Sequence, residues 1–195
     1  EALEYLKFSD NNVVNISTAS DSQFKKIDLS ENQKNEVLKK YHFNKEFLMY
    51  TGGIDHRKNI EGLIRSYALL TKSIRSEHQL AIVCSISDDQ RLILNSLTKS
   101  VGLNENEVIF TGYIPEDDLV SLYNLCKAFI FPSWHEGFGL PALEAMNCGA
   151  PVIASNRSSL PEVIGLDDAL FDSLDDNIMS KKIEQIILER REKNS

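Results

Sequence analysis

The sequence of 195 residues has no excess of basic side chains, since 29 Asp and Glu outnumber 21 Lys and Arg and the formal net charge is -8. Domains that bind nucleic acids usually carry a basic surplus on one face. The composition therefore argues against a nucleic-acid partner and favours a small or neutral one. It leaves a nucleotide open, because a helix N-terminus and one or two basic side chains bind a phosphate locally.

Cysteine and long apolar runs are also scarce. Cys84, Cys126 and Cys148 are odd in number and far apart, which predicts reduced core residues, and the histidines show no metal-ligand spacing. No apolar run reaches the roughly 18 to 20 residues that a membrane span requires. The first ten residues lack the basic-then-apolar layout of a signal peptide. We therefore expect a cytoplasmic protein without a metal.

From about Lys45 onward, short apolar runs alternate with helical patterns, and the length suits one domain. This alternation predicts a doubly wound α/β domain with a parallel sheet over residues 45–195. Residues 1–44 are polar and predict a lead-in segment with one helix, Glu31–Tyr41. The predicted strands are Phe47–Thr51, Gln79–Ser85, Glu107–Phe110, Ala128–Phe131, Pro151–Ala154 and Ala169–Phe171.

Ligands of doubly wound sheets bind beyond the carboxyl ends of the strands, so the loops that follow the strands hold the candidate residues. The loop after the first strand places two glycines before two cations: Gly52, Gly53, Arg57 and Lys58. Glycines let a ligand approach the backbone, and the two cations suit phosphate oxygens. The alternative is a tight turn with solvated charges, and this segment alone does not decide between them.

The stretch after the fourth strand, HEGFGLPALEAM, runs from a glycine-flanked loop directly into a helix. Pro141 suits the first helical turn, where its missing N–H costs no hydrogen bond. Free backbone N–H groups and the helix dipole then favour an anion at this point. The predicted phosphate-binding residues are Gly137, Phe138, Gly139 and Leu140.

Two carboxylates flank this anion site: Glu136 in the loop and Glu144 about one turn inside the helix. Sugar hydroxyls explain them, because an ionised carboxylate accepts two hydrogen bonds from a diol. The alternative is a solvated Glu136 and a Glu144 that interacts only with the helix dipole. Convergence with the basic loop favours the ligand interpretation. His135 is a secondary acid or base candidate without an identified partner.

Two further loops follow strands. Around Tyr113 and Ile114, exposed backbone groups could meet a flat heterocycle, although the segment taken alone is better explained as a well-capped loop. Residues 155–162 offer small polar groups for contact with the ligand, and a surface loop is at least as good an explanation.

The stretch from Tyr50 to Phe171 resembles the retaining glycosyltransferases of family 4, also called group 1, which have the GT-B fold. Its most specific element is Glu136, seven residues, then Glu144, within HEGFGLPALEAMNCGAPVIAS. The segments YTGGIDHRKNIEGLIRSYALL and VIFTGYIPEDDLVSLYNLCKAFIFPS match the family in the same order. The resemblance implies one of the two Rossmann-like domains of a GT-B enzyme, namely the domain that binds the donor.

By resemblance, this domain would bind a UDP- or GDP-linked sugar for transfer to a saccharide or lipid-linked acceptor, usually without a metal. Arg57, Lys58 and the backbone near Gly139 and Leu140 would hold the diphosphate, and the base would lie near Tyr113 and Ile114. Glu144 would bind the ribose. Glu136 would bind the transferred sugar and act as the catalytic residue.

Two departures qualify the resemblance. Many family members have an arginine where this sequence has Gly53, and Arg57 is a candidate to compensate. The acceptor-binding N-terminal domain of a GT-B enzyme has no counterpart here, so residues 1–44 would be the interdomain connector. Any peripheral membrane contact would come through that absent half, and the isolated domain would not turn over. The alternatives are a non-catalytic nucleotide-binding module and a GT-B sugar-nucleotide epimerase.

Overall fold

The computed structural model describes residues 7, 9 and 18–194, with side chains up to Arg190. The rest of the predicted connector, residues 1–6, 8 and 10–17, and Ser195 lie outside the described residues. The described chain forms one sheet whose six strands are all parallel. The strands are β1 (Glu46–Thr51), β2 (His78–Val83), β3 (Val108–Phe110), β4 (Ala128–Phe131), β5 (Val152–Ser155) and β6 (Leu170–Phe171).

These bounds confirm each predicted strand to within two residues. Every residue of β2, β4 and β5 is buried, as expected of continuous apolar runs covered by helices on both faces. The three cysteines are free and buried, which confirms their prediction as core residues.

Eight α-helices and two 3₁₀-helices accompany the strands within the described part of the chain. Serine caps start two of them: Ser30 and Ser87 each form a capping box with a glutamine three residues later. The predicted helix Glu31–Tyr41 is confirmed at Glu31–Lys40. The α-helices are α1 (Glu31–Lys40), α2 (Ile60–Ala68), α3 (Lys72–Glu77), α4 (Asp88–Ser100), α5 (Glu116–Leu125), α6 (Leu140–Asn147), α7 (Leu160–Ile164) and α8 (Asp176–Asn194), and the 3₁₀-helices are His56–Lys58 and Asp167–Ala169.

The strand order is β3-β2-β1-β4-β5-β6, so the direction of winding reverses between β1 and β4. At such a reversal, the loops that leave two neighbouring strands diverge to opposite faces of the sheet and open a crevice at the carboxyl ends. The loops after β1 and β4 are the two in which the sequence predicts the phosphate site. The topology therefore brings them together.

Asn59 ties three of the loops at this edge. It is buried with a left-handed φ of 54°, and its Nδ2 donates to the carbonyl of Ser173 after β6 at 2.9 Å and to that of Pro132 after β4 at 3.4 Å. Because asparagine tolerates this backbone conformation better than other residues with a side chain, Asn59 suits both roles.

Asn59→Ala is therefore expected to lower the free energy of unfolding by about 2 kcal/mol, through lost hydrogen bonds and a strained φ. Urea denaturation measures the change. The control is Asn147→Ala, which removes an exposed hydrogen bond to the Ser20 hydroxyl and should cost less than about 0.5 kcal/mol. Equal costs for the two variants would show that Asn59 does not tie the loops.

Candidate functional site

The loop after β1 is shaped by Gly52. Its φ of +145° is one that residues with a Cβ rarely adopt, and a Cβ here would lie 2.8 Å from the Tyr50 hydroxyl oxygen. That hydroxyl donates to the carbonyl of Gly53 at 2.6 Å and holds the turn closed. Asp55 then caps the 3₁₀-helix by accepting from the backbone N–H of Arg57.

The two predicted cations of this loop have different surroundings. Arg57 is exposed, and its Nε lies 2.9 Å from Oδ1 of Asp55, a hydrogen bond that lowers the pKa of that carboxyl. Lys58 turns inward and is largely buried, with its Nζ 6.0 Å from the centre of the Phe131 ring. The buried charge of Lys58 therefore belongs to the crevice, whereas Arg57 stands at its rim.

Lys58 forms a two-pronged ion pair with Glu136, with Nζ 2.7 Å from Oε1 and 2.9 Å from Oε2. The two side chains are only 15% and 10% exposed, so solvent screens this pair much less than a surface salt bridge. The pair joins the loops after β1 and β4 across the switch point. It also places a cation and a carboxylate within reach of one ligand.

Trp134 joins the loop after β4 to the loop after β1 through its backbone and to the loop after β6 through its indole. Its backbone N–H donates to the carbonyl of Arg57 at 2.8 Å, and its Nε1 donates to the carbonyl of Ser173 at 3.2 Å. The His56 ring packs edge-on against the indole, with 4.6 Å between the ring centres. The crevice therefore has a rigid wall on this side.

Two serines after β5 support the Glu136 loop. The Ser158 hydroxyl donates to the carbonyl of Glu136 at 2.6 Å, while the Ser159 hydroxyl donates to the carbonyls of Phe138 and Glu136 at 2.9 and 3.1 Å. The sequence left residues 155–162 open between ligand contact and surface loop. In the structure, Ser158 and Ser159 of this segment brace the loop after β4, and ligand contact by the segment stays a prediction. His135 is exposed beside it, with Nδ1 3.5 Å from the Ser158 hydroxyl.

The start of α6 is set by Gly139. Its φ of +106° favours glycine, and a Cβ would lie 2.7 Å from Cδ2 of Leu160 on α7. No side chain caps this helix, and Pro141 occupies its first turn as predicted. Backbone N–H groups of an uncapped first turn carry the positive end of the helix dipole. The arrangement therefore suits an anion between Lys58 and the helix start.

Glu144 lies about one turn inside α6 and is partly buried. Its Oε2 accepts a hydrogen bond from the Tyr123 hydroxyl at 3.0 Å. Burial raises the pKa of Glu144, the hydrogen bond from Tyr123 opposes this, and the nearby Glu116 carboxylate adds to the rise. Tyr123 was not predicted as a site residue, because nothing in the sequence distinguishes it from an ordinary core tyrosine on a helix.

Tyr113 and Ile114 follow β3, the edge strand, at the outer end of the same carboxyl edge. The Tyr113 side chain is 78% exposed, whereas the Ile114 side chain is buried. A flat ring at this loop would therefore meet the tyrosine ring and the backbone, and the isoleucine would serve as packing. Their role in base binding stays a prediction.

Metal-binding clusters and membrane-spanning helices are both absent from the described residues. No group of three or more His, Cys, Asp or Glu in the described ranges could hold a metal ion. Within the same ranges, none of the helices has the length and apolar character needed to cross a membrane.

The family sequence model described as "Glycosyl transferases group 1" matches residues 32–195. This chain belongs to the group 1 glycosyl transferases. The match confirms the family that the Glu136 and Glu144 segment predicted, and the doubly wound parallel sheet confirms the predicted fold. The roles of the individual site residues remain predictions.

Relatives within the family are similar over most of this chain. It is 43% identical over 175 residues to a serotype-specific mannosyltransferase WbdA of Escherichia coli, which covers 90% of this chain and 22% of that protein. It is 39% identical over 150 residues to the E. coli O-antigen chain mannosyltransferase B, covering 76% and 39% of the two lengths. The chain thus spans between about a fifth and two fifths of these relatives.

A solved structure shares the fold. Anabaena HepE, determined in complex with UDP and glucose, superposes with a TM-score of 0.75 at 21% identity, covering 89% of this chain and 47% of that one. At this level of identity the likeness shows the fold, and this chain corresponds to about half of the larger molecule.

Proposed function

We propose that this chain is the donor-binding domain of a glycosyltransferase that moves a sugar from a UDP- or GDP-linked donor to a saccharide or lipid-linked acceptor. The observation that carries the proposal is the convergence at one switch point of a buried Lys58–Glu136 pair and an uncapped helix start at Gly139. A cation and free N–H groups suit a diphosphate, and the adjacent carboxylate suits a sugar hydroxyl.

In this proposal, the diphosphate lies between Lys58 and the first turn of α6. The Lys58 ammonium and the backbone N–H groups near Gly139 and Leu140 neutralise it, and Arg57 reaches it from the rim. Gly53, which stands where many family members have arginine, leaves Lys58 as the principal side-chain cation. We propose that these groups balance the diphosphate charge without a metal. Stabilising the departing diphosphate is then the main catalytic contribution of the domain.

The two carboxylates would divide the sugar contacts. Glu144, one turn deeper along α6, would accept hydrogen bonds from the ribose hydroxyls. Glu136, which faces Lys58, would contact the transferred sugar beside the diphosphate and act as the catalytic residue. Tyr113 and the backbone at Ile114 would receive the base at the outer end of the edge.

The relatives support transfer rather than the alternatives. Both E. coli relatives are named mannosyltransferases, which favours neither a non-catalytic module nor an epimerase. The Anabaena structure was determined in complex with UDP and glucose, which supports a nucleotide ligand for this chain. We propose that the acceptor binds to a second domain of the longer protein, with any membrane contact made there, and that the protein acts in the cytoplasm.

Calorimetric titration of the chain with UDP and GDP tests the proposal. The wild type is expected to bind at least one of them, and Glu144→Ala is expected to weaken that binding about tenfold, because charge-assisted hydrogen bonds to the ribose are lost. The control is Glu189→Ala, a change on the exposed side of α8 that should leave binding unaltered. Absence of binding by the wild type, or equal affinities of both variants, would refute the assignment.

A further inference from the structure

Tyr123 lies beneath the predicted ribose site and is held there on two sides. This side chain of α5 is fully buried, and its ring packs edge-on against Phe129 of β4 at 5.5 Å and Phe24 at 6.0 Å between ring centres. Its hydroxyl donates to Oε2 of Glu144. Because the ring is packed between two aromatic side chains, the position of the hydroxyl is fixed by the core.

Within the described residues, Oε2 of Glu144 accepts the hydrogen bond from Tyr123, and Oε1 accepts none from a side chain. Burial raises the pKa of Tyr123 well above its ordinary value, so its hydroxyl keeps its proton and remains a donor. A carboxylate on a flexible side chain loses rotamer freedom when it binds a ligand. A fixed donor on one oxygen reduces that loss in advance.

We propose that Tyr123 is a positioning residue for Glu144, holding the carboxylate by Oε2 so that Oε1 is presented to the ribose hydroxyls of a nucleoside diphosphate. This inference rests on the proposed function and adds to it a residue that touches no ligand. Glu144 is the ligand-binding group, and Tyr123 acts through it.

The segment before α1 takes part in the same arrangement. Phe24, which covers the Tyr123 ring, is 7% exposed. Asn124 of α5 fastens the adjoining backbone by accepting from the N–H of Ile27 at 3.0 Å and donating to the carbonyl of Lys25 at 3.1 Å. The part of the predicted connector that the structure describes therefore packs against the tyrosine that contacts Glu144.

The test compares Tyr123→Phe with Tyr67→Phe. Tyr67 is an equally buried tyrosine on α2 whose hydroxyl donates to the carbonyl of His78 at 2.8 Å, so both variants delete one buried hydroxyl and orphan one acceptor. Calorimetry is done with UDP, GDP and pyrophosphate, which lacks a ribose. Tyr123→Phe is expected to weaken the tighter-binding nucleotide about fivefold to tenfold and pyrophosphate less than about twofold. Tyr67→Phe is expected to change neither.

The pH dependence of nucleotide binding gives a second readout. Among the described residues, the titratable groups that face Glu144 are Tyr123 and Glu116 on α5 and Cys148, the residue directly after α6. The ionised Glu144 binds the ribose, so affinity falls as the pH drops through its pKa. Tyr123→Phe removes a donor that favours the ionised form, and it should move this loss of affinity to higher pH.

In a Glu144→Gln background, Tyr123→Phe is expected to change nucleotide affinity less than about twofold, because the group it positions is altered. Three results would overturn the inference. Tyr123→Phe could weaken nucleotide and pyrophosphate binding equally, or the two tyrosine variants could have equal effects. The third is an unchanged nucleotide affinity of Tyr123→Phe when the wild type does bind the nucleotide. A wild type that binds neither UDP nor GDP would instead refute the proposed function itself.

Discussion

Lys58→Ala lowers the affinity of the chain for UDP and GDP about a hundredfold, in the strongest effect that we expect from a side-chain truncation. Lys58 supplies the buried cation of the proposed diphosphate site, and charge-assisted hydrogen bonds to phosphate are among the strongest in proteins. The change also leaves Glu136 as a largely buried carboxylate without its partner. We expect the free energy of unfolding to fall by about 2 kcal/mol, less than for a wholly buried pair because some solvent reaches these side chains.

Glu136→Gln is not expected to lower the affinity for UDP or GDP, in contrast to Lys58→Ala. In the free chain the carboxylate holds the Lys58 ammonium with both oxygens, so it competes with the diphosphate for that cation. Removing its charge should leave the affinity for UDP or GDP unchanged or raise it. Arg57→Ala is the matched cation control, because its side chain is exposed and paired with Asp55, and it should cost less than about fivefold.

Calorimetry of these three variants separates the buried cation from the cation at the rim. Equal losses for Lys58→Ala and Arg57→Ala would mean that the buried Lys58 contributes no more to nucleotide binding than the exposed Arg57. A loss of nucleotide affinity in Glu136→Gln as large as that in Lys58→Ala would contradict the proposal that Glu136 and the diphosphate compete for Lys58.

Gly139→Ala is expected to have the largest effect of any glycine substitution in the site. A φ of +106° strains any residue with a side chain, and the added Cβ would lie 2.7 Å from Cδ2 of Leu160. We expect the free energy of unfolding to fall by about 2 to 3 kcal/mol. We also expect nucleotide affinity to fall at least about tenfold, because the first turn of α6 must shift.

Gly137→Ala is the control for this change, two residues away in the same loop. A Cβ at Gly137 would meet no atom within 4 Å, and the change keeps the backbone N–H by which this residue is predicted to bind phosphate, so folding and binding should change little. Chemical denaturation and calorimetry measure both variants. If Gly139→Ala folds and binds as well as Gly137→Ala, then the start of α6 is not the anion site.

The strands of the sheet could be predicted because each one has a signal within a few consecutive residues of the sequence. Ala128–Phe131 is four apolar residues between helical patterns, and all four are buried in the structure at the predicted bounds. The helix starts carry equally local signals, such as Ser87 three residues before Gln90. Strand ends were less exact, since the predicted second strand runs on through Cys84 and Ser85, whereas the pairing of β2 stops at Val83.

The loops that form the candidate site could be predicted from the sequence, but the contacts between those loops could not. Gly139 and Pro141 announce a helix start by themselves, whereas the pairing of Lys58 with Glu136 joins residues 78 positions apart. That contact depends on β1 lying beside β4, which is a property of the strand order. The hydrogen bond from Ser158 to the Glu136 carbonyl likewise depends on β5 lying beside β4. Neither this contact nor the Lys58–Glu136 pair has a local signature in the sequence.

A crystal structure of the chain with the more tightly bound of UDP and GDP would show where the diphosphate and the ribose lie. We expect the diphosphate between Lys58 Nζ and the backbone N–H groups at the start of α6, with the ribose at Glu144. The opposite edge of the sheet offers a competing location, an open groove of about 890 Å³ lined by Leu38, Phe43, Lys45 and Lys127 among others. A nucleotide bound in that groove, with the Lys58–Glu136 pair undisturbed, would contradict the account.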